Sequence, residues 1–307
     1  MIILHAIEDL STLSEPLILV GGTFDGVHRG HQALLGAAKE EAQQSGSRVV
    51  VMTFDRHPAA FLRPDQAPRI LTQRAEKIEL FNMLEVDVLL LLTFEATLAA
   101  MSAEDFIYQL VIHSSELKAI YVGASWSFGQ GGQGNVALLA QLGEKFHFSL
   151  QTIAPIYLQG AMVSSTRIRQ LINQGDFKSA SALLGRPYTL SGSVIPGAGR
   201  GRVLGIPTAN LPVGNLQLPP NGVYLASASW KGTTYQALVN LGVRPTIDSS
   251  NHPITLEAHL LDFQGDLYGE ELKIEFVHFL REERKFATLE QLKSQILEDI
   301  RLARTLH

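Results

Sequence analysis

The 307-residue chain contains no cysteine. That one absence removes disulfides, thiolate nucleophiles and structural zinc–cysteine sites together. Charge is also sparse, at 18 % of residues against 46 % hydrophobic, a balance that supplies ample core material and excludes a disordered chain. Positive charge is not in excess: 25 Lys and Arg against 30 Asp and Glu leave a net charge of −5. General nucleic-acid binding is therefore not expected, and any phosphate site has to be assembled from local arginines and backbone N–H groups. The longest apolar run, Val86 to Phe94, carries Asp87 and is far too short to span a bilayer. The opening MIILHAIEDLS has no basic segment and turns acidic at Glu8 and Asp9, so no secretory signal is expected. These features predict a soluble, cytoplasmic protein without nucleic-acid or membrane partners. Also missing is any G-x-x-x-x-G-K-[ST], so a nucleotide site here is not a P-loop.

What is present concentrates first in Gly21-Gly-Thr-Phe-Asp-Gly-Val-His-Arg-Gly-His31. This segment follows an apolar run, Leu17 to Val20, that reads as a buried parallel strand. It leads into Gln32 to Gln44, where Leu34, Leu35, Ala38 and Ala42 recur at helical spacing. A glycine-rich turn between strand and helix lets backbone N–H groups approach a ligand, and the helix N-terminus favours an anion there. His28 and His31 can both project from the first turn toward that ligand. A His-x-x-His pair can also bind a metal, and a bare one is most often a pair of surface histidines. Without cysteine or a third ligand at suitable spacing, the phosphate reading is the stronger.

The length favours two domains. Strand-like runs at 17–20, 48–53, 87–92, 119–123 and 146–153 alternate with helix-like segments near 30–44, 74–85, 102–113 and 135–144, which predicts a parallel α/β sheet with ligands beyond the strands' carboxyl ends. After about residue 185 glycine and proline become frequent and turns join the strand candidates, roughly 188–195, 222–230, 234–240, 254–261 and 271–279, as in an antiparallel barrel or sandwich. The tail from Thr288 predicts a helix, with Thr288 and Gln291 as a capping box and Leu289, Leu292, Ile296 and Ile300 as one apolar packing stripe. The boundary is placed at 184/185.

G-T-F-D-G-x-H-x-G-H resembles the signature of the adenylyl- and cytidylyltransferase superfamily. The resemblance implies a Rossmann-like nucleotidyltransferase domain of the HxGH type. In it Gly22, Phe24, Asp25 and Gly26 would line the nucleotide, while His28 and His31 would hold the triphosphate and stabilise charge as pyrophosphate leaves. Ser164-Ser165-Thr166-Arg167-Ile168-Arg169 is by itself a helix cap with two solvated arginines. Behind an HxGH element it looks like the superfamily's second phosphate motif, with Ser165, Thr166 and Arg169 as triphosphate contacts. Thr53-Phe54-Asp55-Arg56-His57-Pro58 is by itself a turn ended by proline. It is similar to a segment of bacterial FAD synthetases beside the flavin, which narrows the resemblance to the bifunctional riboflavin kinase/FMN adenylyltransferase family and implies flavin contacts at His57 and Pro58. Gly129 to Gly134 satisfies G-x-G-x-x-G literally, but it is neither directly after a strand nor followed by an acid about twenty residues on. The preceding Gly123-Ala-Ser-Trp-Ser-Phe-Gly129 looks like the family's V-G-x-(D/N)-F-x-F-G. It departs in having Ser125 and Trp126, with Gln130 and Gln133 where basic residues are common. Ser125 and Trp126 are the expected flavin contacts there.

In the second half Gly199-Arg-Gly-Arg-Val-Leu-Gly205-Ile-Pro-Thr208-Ala-Asn210 is locally a loop with a basic tip. Its G-R-x-L-G-x-P-T-A-N closely resembles the riboflavin kinase signature. That implies a segment, including Gly199 and Gly205, covering the ATP phosphates, with Thr208 and Asn210 holding Mg²⁺. Thr255-Leu-Glu257-Ala-His259 matches the family's T-x-E-x-H, whose glutamate is the proposed base for the ribityl hydroxyl; a Glu on a strand is otherwise usually a solvent-facing one. Val239 to Thr246, Asp266 to Gly269 and Leu280 to Phe286 match further family segments, the last placing Arg281 near the flavin. The resemblance implies riboflavin, FMN and ATP as substrates with Mg²⁺ as cofactor: phosphorylation in the second half, adenylylation in the first. Two alternatives stay open. One is a riboflavin kinase with a degenerate first domain, the other a flavin-binding protein without catalysis.

Overall fold

A computed structural model describes residues 1–158, 160–197, 199–243 and 254–306. Its packing divides the chain into two units, Met1–Ile168 with Leu183–Gly185, and Arg169–Ala182 with Arg186–His307. The predicted match at Arg244, Pro245 and Thr246 lies outside the described residues.

In the first unit six strands, β1 (Ile2–Leu4), β2 (Leu17–Gly21), β3 (Arg48–Phe54), β4 (Val88–Leu92), β5 (Leu117–Gly123) and β6 (Ser149–Ile153), form one parallel sheet in the order β1-β4-β3-β2-β5-β6. Between and after them run α1 (Arg29–Ser45), α2 (Pro58–Leu62), α3 (Arg74–Met83), α4 (Ala96–Ala100), α5 (Ala103–Ile112), α6 (Val136–Phe146), a small hairpin of β7 (Tyr157–Leu158) and β8 (Ala161–Met162), and the first turn of α7 (Ser165–Asn173), whose residues from Arg169 on belong to the second unit. Successive strand side chains point to opposite faces. Accordingly Ile18 and Val20 join Leu34, Leu35 and Phe81 under α1 and α3, whereas Leu19 and Val50 join Phe106, Leu110 and Leu139 under α5 and α6. Burial on both faces explains the unbroken apolar runs of β2 and β4. Strand order reverses between β2 and β5, so the crevice beyond their carboxyl ends is the expected ligand position.

One expectation is corrected here, and one strand was not foreseen. The strand expected at 146–153 begins only at Ser149, because Phe146 closes α6 and His147, at φ 64°, turns the chain out of the helix. The edge strand β1 is also absent from the sequence reading: three residues are too few to show a period.

The second unit takes the rest of α7 and α8 (Phe177–Leu184) as far as Ala182, then β9 (Thr189–Ser193), α9 (Arg200–Val203), β10 (Ala209–Pro212), β11 (Gly222–Trp230), β12 (Thr233–Val243), β13 (Ile254–Leu260), β14 (Glu271–Arg281) and α10 (Leu289–Thr305). Its strands form one antiparallel sheet ordered β10-β13-β12-β11-β14-β9. A bridge between Ile195 and Asn210 brings the two ends together, so the sheet curls into a nearly closed barrel and is not a sandwich. Within it Tyr224 and Phe276 pack at 5.0 Å, and Phe177 stacks on Phe276 at 5.5 Å.

β10 is a further correction, since Pro207 and Pro212 disguise a four-residue strand, and so is the single helical turn α9 inside the expected basic loop. The apolar stripe of α10 also differs from expectation. Leu289 is exposed, and the buried positions are Asp299 and Ala303; Ile300 packs against Val223, Leu225 and Leu238 on the outer face of the barrel. Thr288 caps the helix as expected, but Gln291 reaches back to the Ala287 N–H at 3.2 Å.

Candidate functional site

In the first unit the glycine-rich turn is held in a strained shape. Phe24 and Val27 have φ of 49° and 40°, conformations costing about 1–3 kcal/mol each that persist only where surroundings enforce them. Asp25 is one enforcer. It is buried, and its Oδ1 accepts from the N–H groups of Leu71 and Thr72 at 2.8 and 3.2 Å, while the Thr72 hydroxyl accepts from Gly26 N–H at 3.1 Å. The carboxylate expected to line the nucleotide thus braces the turn.

His28 caps α1, its Nδ1 accepting from His31 N–H at 3.4 Å, and the two imidazoles stack at 3.6 Å. Gly30 permits this: a Cβ there would lie 3.1 Å from the His28 ring. Burial, reinforced by the neighbouring His28 and Lys77, pushes the His31 imidazole well below its ordinary range. His31 is consequently neutral at pH 7, and its Nδ1 has no hydrogen-bond partner.

The second predicted phosphate motif meets the first. Ser164 caps α7 through Arg167 N–H at 3.2 Å, and the Ser165 hydroxyl donates to the Asp25 carbonyl at 2.8 Å. Two helix N-termini therefore converge beyond the sheet, a natural seat for a polyanion. Thr166 is exposed on the first turn of α7, and Arg169 follows one turn along.

At the reversal point Trp126 stacks on Phe128 at 4.5 Å, and its ring edge is 3.3 Å from where a Cβ on Gly21 would stand. Ser125 is exposed beside it. The glycines from 129 to 134 close on themselves through paired hydrogen bonds between Phe128 and Gly134, so the literal G-x-G-x-x-G is a loop and not a dinucleotide crevice. His57 caps α2, accepting from Ala59 N–H at 3.1 Å, and Pro58 takes the first helical position. Phe54, Phe61 and Phe94 cluster beside them.

Sequence reading missed Lys77. This buried residue of α3 donates from Nζ to the carbonyls of Thr23 at 3.0 Å and Phe54 at 3.2 Å, where β2 and β3 end. Burial pushes its ammonium down to about 8, against the opposing pull of Asp25 and Asp55. A lysine on a helix is ordinarily solvated; the one sequence signal was its place four residues before Phe81, on the packed face.

In the second unit Gly199, Thr208 and Asn210 line one cavity of about 320 Å³ with Gly197, Asp266 and Tyr268 among their neighbours. Gly197 passes so close to Asn210 that a Cβ there would lie 2.2 Å from its Nδ2. The side chain of Asn210 is buried with Oδ1 unpartnered. Gly205, at φ 79°, forms the bend before Pro207 and does not line the cavity. Glu257 does not line it either. It is paired with Asn210 on one side and Asn240 on the other, and such cross-strand partners share a face. The same row continues through Val223 to Arg281. The Arg281 guanidinium is bidentate on the buried Asp299 carboxylate of α10, at 3.0 and 2.7 Å, which fixes the helix to the barrel.

A family model described as FAD synthetase matches residues 11–167, and one described as riboflavin kinase matches residues 184–307. The chain is 35 % identical over 306 residues to the bifunctional riboflavin kinase/FMN adenylyltransferase of Escherichia coli strain K12, covering 99 % of this chain and 97 % of that protein. It is 38 % identical over 287 residues to the protein of the same name from Pseudomonas fluorescens, covering 93 % and 91 %. A crystal structure named as a macrolide-efflux protein from Streptococcus pneumoniae superposes with a TM-score of 0.83 at 30 % identity, over 100 % of this chain and 99 % of that one. What the last likeness carries over is the fold. Among the described residues no helix is long and apolar enough to cross a membrane.

Proposed function

The chain belongs to the bifunctional riboflavin kinase/FMN adenylyltransferase family, and on that footing we propose that residues 185–307 transfer the γ-phosphate of ATP to riboflavin, giving FMN, and residues 1–184 transfer AMP from a second ATP to FMN, giving FAD and pyrophosphate. One observation carries the assignment of residues. The buried side-chain atoms left without a hydrogen-bond partner among the described residues are His31 Nδ1, Asp55 Oδ1 and Asn210 Oδ1. Each lies in a motif expected to meet substrate, and a buried polar atom without a partner is costly unless a ligand completes it.

In the first half a phosphate oxygen of FMN attacks the α-phosphorus of ATP as the bond to pyrophosphate breaks. His28, His31, Thr166, Arg169 and the two helix N-termini, among them the backbone N–H of Ser165, supply fixed donors to the charge that develops. Trp126, with Ser125, His57 and Pro58, forms the flavin side, an aromatic face at the reversal of the sheet. In the second half Glu257 takes the proton of the ribityl hydroxyl, whose oxygen then attacks the γ-phosphorus as ADP leaves. Thr208 and Asn210 present oxygen donors, one of them unpartnered, which suits a hard divalent cation such as Mg²⁺. Bound there, such an ion would neutralise phosphate charge. Arg281 acts on the flavin indirectly, by fixing α10.

Chromatography of reactions containing ATP and Mg²⁺ tests this. Supplied riboflavin is expected to give FMN and then FAD. FMN without FAD would support a kinase with a degenerate first domain, and no riboflavin-dependent ATP consumption would leave only a flavin-binding protein.

A further inference from the structure

The elements around the glycine-rich turn show that its geometry is imposed from outside it. Helix α3 and the residues leading into it reach the turn at four points. Leu71 and Thr72 hold the Asp25 carboxylate, the Thr72 hydroxyl holds Gly26 N–H, Lys77 holds the Thr23 carbonyl, and Phe81 packs edge-on against Phe24 at 5.4 Å. Phe24 in turn supports the His31 ring at 4.9 Å. Lys77 and Phe81 are one turn apart on the same face of α3, so a single rigid element fixes the carbonyl before Phe24 and the Phe24 ring together. Lys77 also bonds the Phe54 carbonyl, which ties the turn to the segment carrying Asp55 and His57.

Stability alone does not account for an ammonium here. Burying a cation is expensive, and an apolar side chain of equal length would fill the same space. We propose that Lys77 is a positioning residue for adenylyl transfer, clamping the exits of β2 and β3 so that His28 and His31 are held in register with the triphosphate. This rests on the assignment of adenylylation to the first half. Lys77 reaches substrate only through the turn. The charged and titratable groups around it are Asp25 and Asp55, which favour its cation, and His31, which its charge helps keep neutral, with His28 stacked above.

The test uses the full chain with Lys77→Met, which keeps length and removes charge, and Lys77→Arg, which keeps charge and changes the donor geometry. Both are expected to lower kcat for FAD formation from FMN by about tenfold or more. By proton NMR the His31 ring should titrate at a higher pH in Lys77→Met and at the wild-type pH in Lys77→Arg, a distinction that a merely structural role would not produce. If Lys77→Met does not fold, Lys77→Arg decides the matter by its kcat. Wild-type kcat in either folded variant, or an unmoved His31 titration in folded Lys77→Met, would overturn the proposal. A wild-type chain that makes no FAD would instead overturn the assignment of the first half, and the His31 titration would still test the clamp.

Discussion

At the scale of single residues, the first half is organised around groups whose protonation is displaced. His31 titrates well below the ordinary imidazole range because it is buried near other positive groups. In the unfolded chain it takes a proton near pH 6.5, whereas in the folded chain it does not. Above that pH both forms are neutral and stability is indifferent to this group. As pH falls through 6.5 the unfolded state binds the extra proton, so stability declines, by at most about 1.4 kcal/mol per pH unit. Denaturant titrations at pH 7 and pH 5.5, followed by Trp126 fluorescence in a Trp230→Phe background, should show a loss that His31→Gln reduces. His31 was visible in the sequence because its motif is contiguous. Lys77 was not, since its partners are backbone carbonyls of Thr23 and Phe54, 54 and 23 residues away, and no side-chain pattern encodes them.

Among elements, α8 shows most plainly how sequence texture and packing divide differently. Composition changes near residue 185, yet Phe177 stacks on Phe276 and meets Tyr224 edge-on at 6.0 Å, so the preceding helix completes the aromatic core of the barrel. A fragment starting at Arg186 loses that ring; one starting at Arg169 keeps it. The longer fragment should be more stable by about 1–3 kcal/mol, the worth of a partly buried aromatic with its ring contacts, and Phe177→Ala in the longer fragment should remove most of the difference. Thermal melts of the three proteins measure this. The long strands and helices were legible from periodicity alone. β1, β10 and α9 were not, because three or four residues cannot establish a period, and the buried face of α10 was misjudged because Asp299 lies inside as the partner of Arg281 and Gln295.

For the whole molecule, two active sites in one chain predict separable products. With riboflavin, ATP and Mg²⁺, His31→Ala should accumulate FMN and make at least about a hundredfold less FAD, the scale of losing a fixed donor to developing charge. Glu257→Gln should form FMN slower by about a hundredfold or more, the scale of a general base, yet convert supplied FMN to FAD at the wild-type rate. Product chromatography over time distinguishes the two. A shared loss in both variants would argue against independent sites.

The sequence alone determined the two-part architecture, the parallel and antiparallel classes of the sheets, and the motifs that name the chemistry, because each is written in neighbouring residues whose spacing or identity is itself the signal. Only the tertiary structure decided what those residues are free to do. Asp25 accepts from the Leu71 and Thr72 backbone, Arg281 is held by Asp299, and Asn210, with prolines on either side, is buried with an oxygen left unpartnered. Whether a polar group is available depends on who else reaches it, and those partners come from distant segments that meet only when the chain is folded.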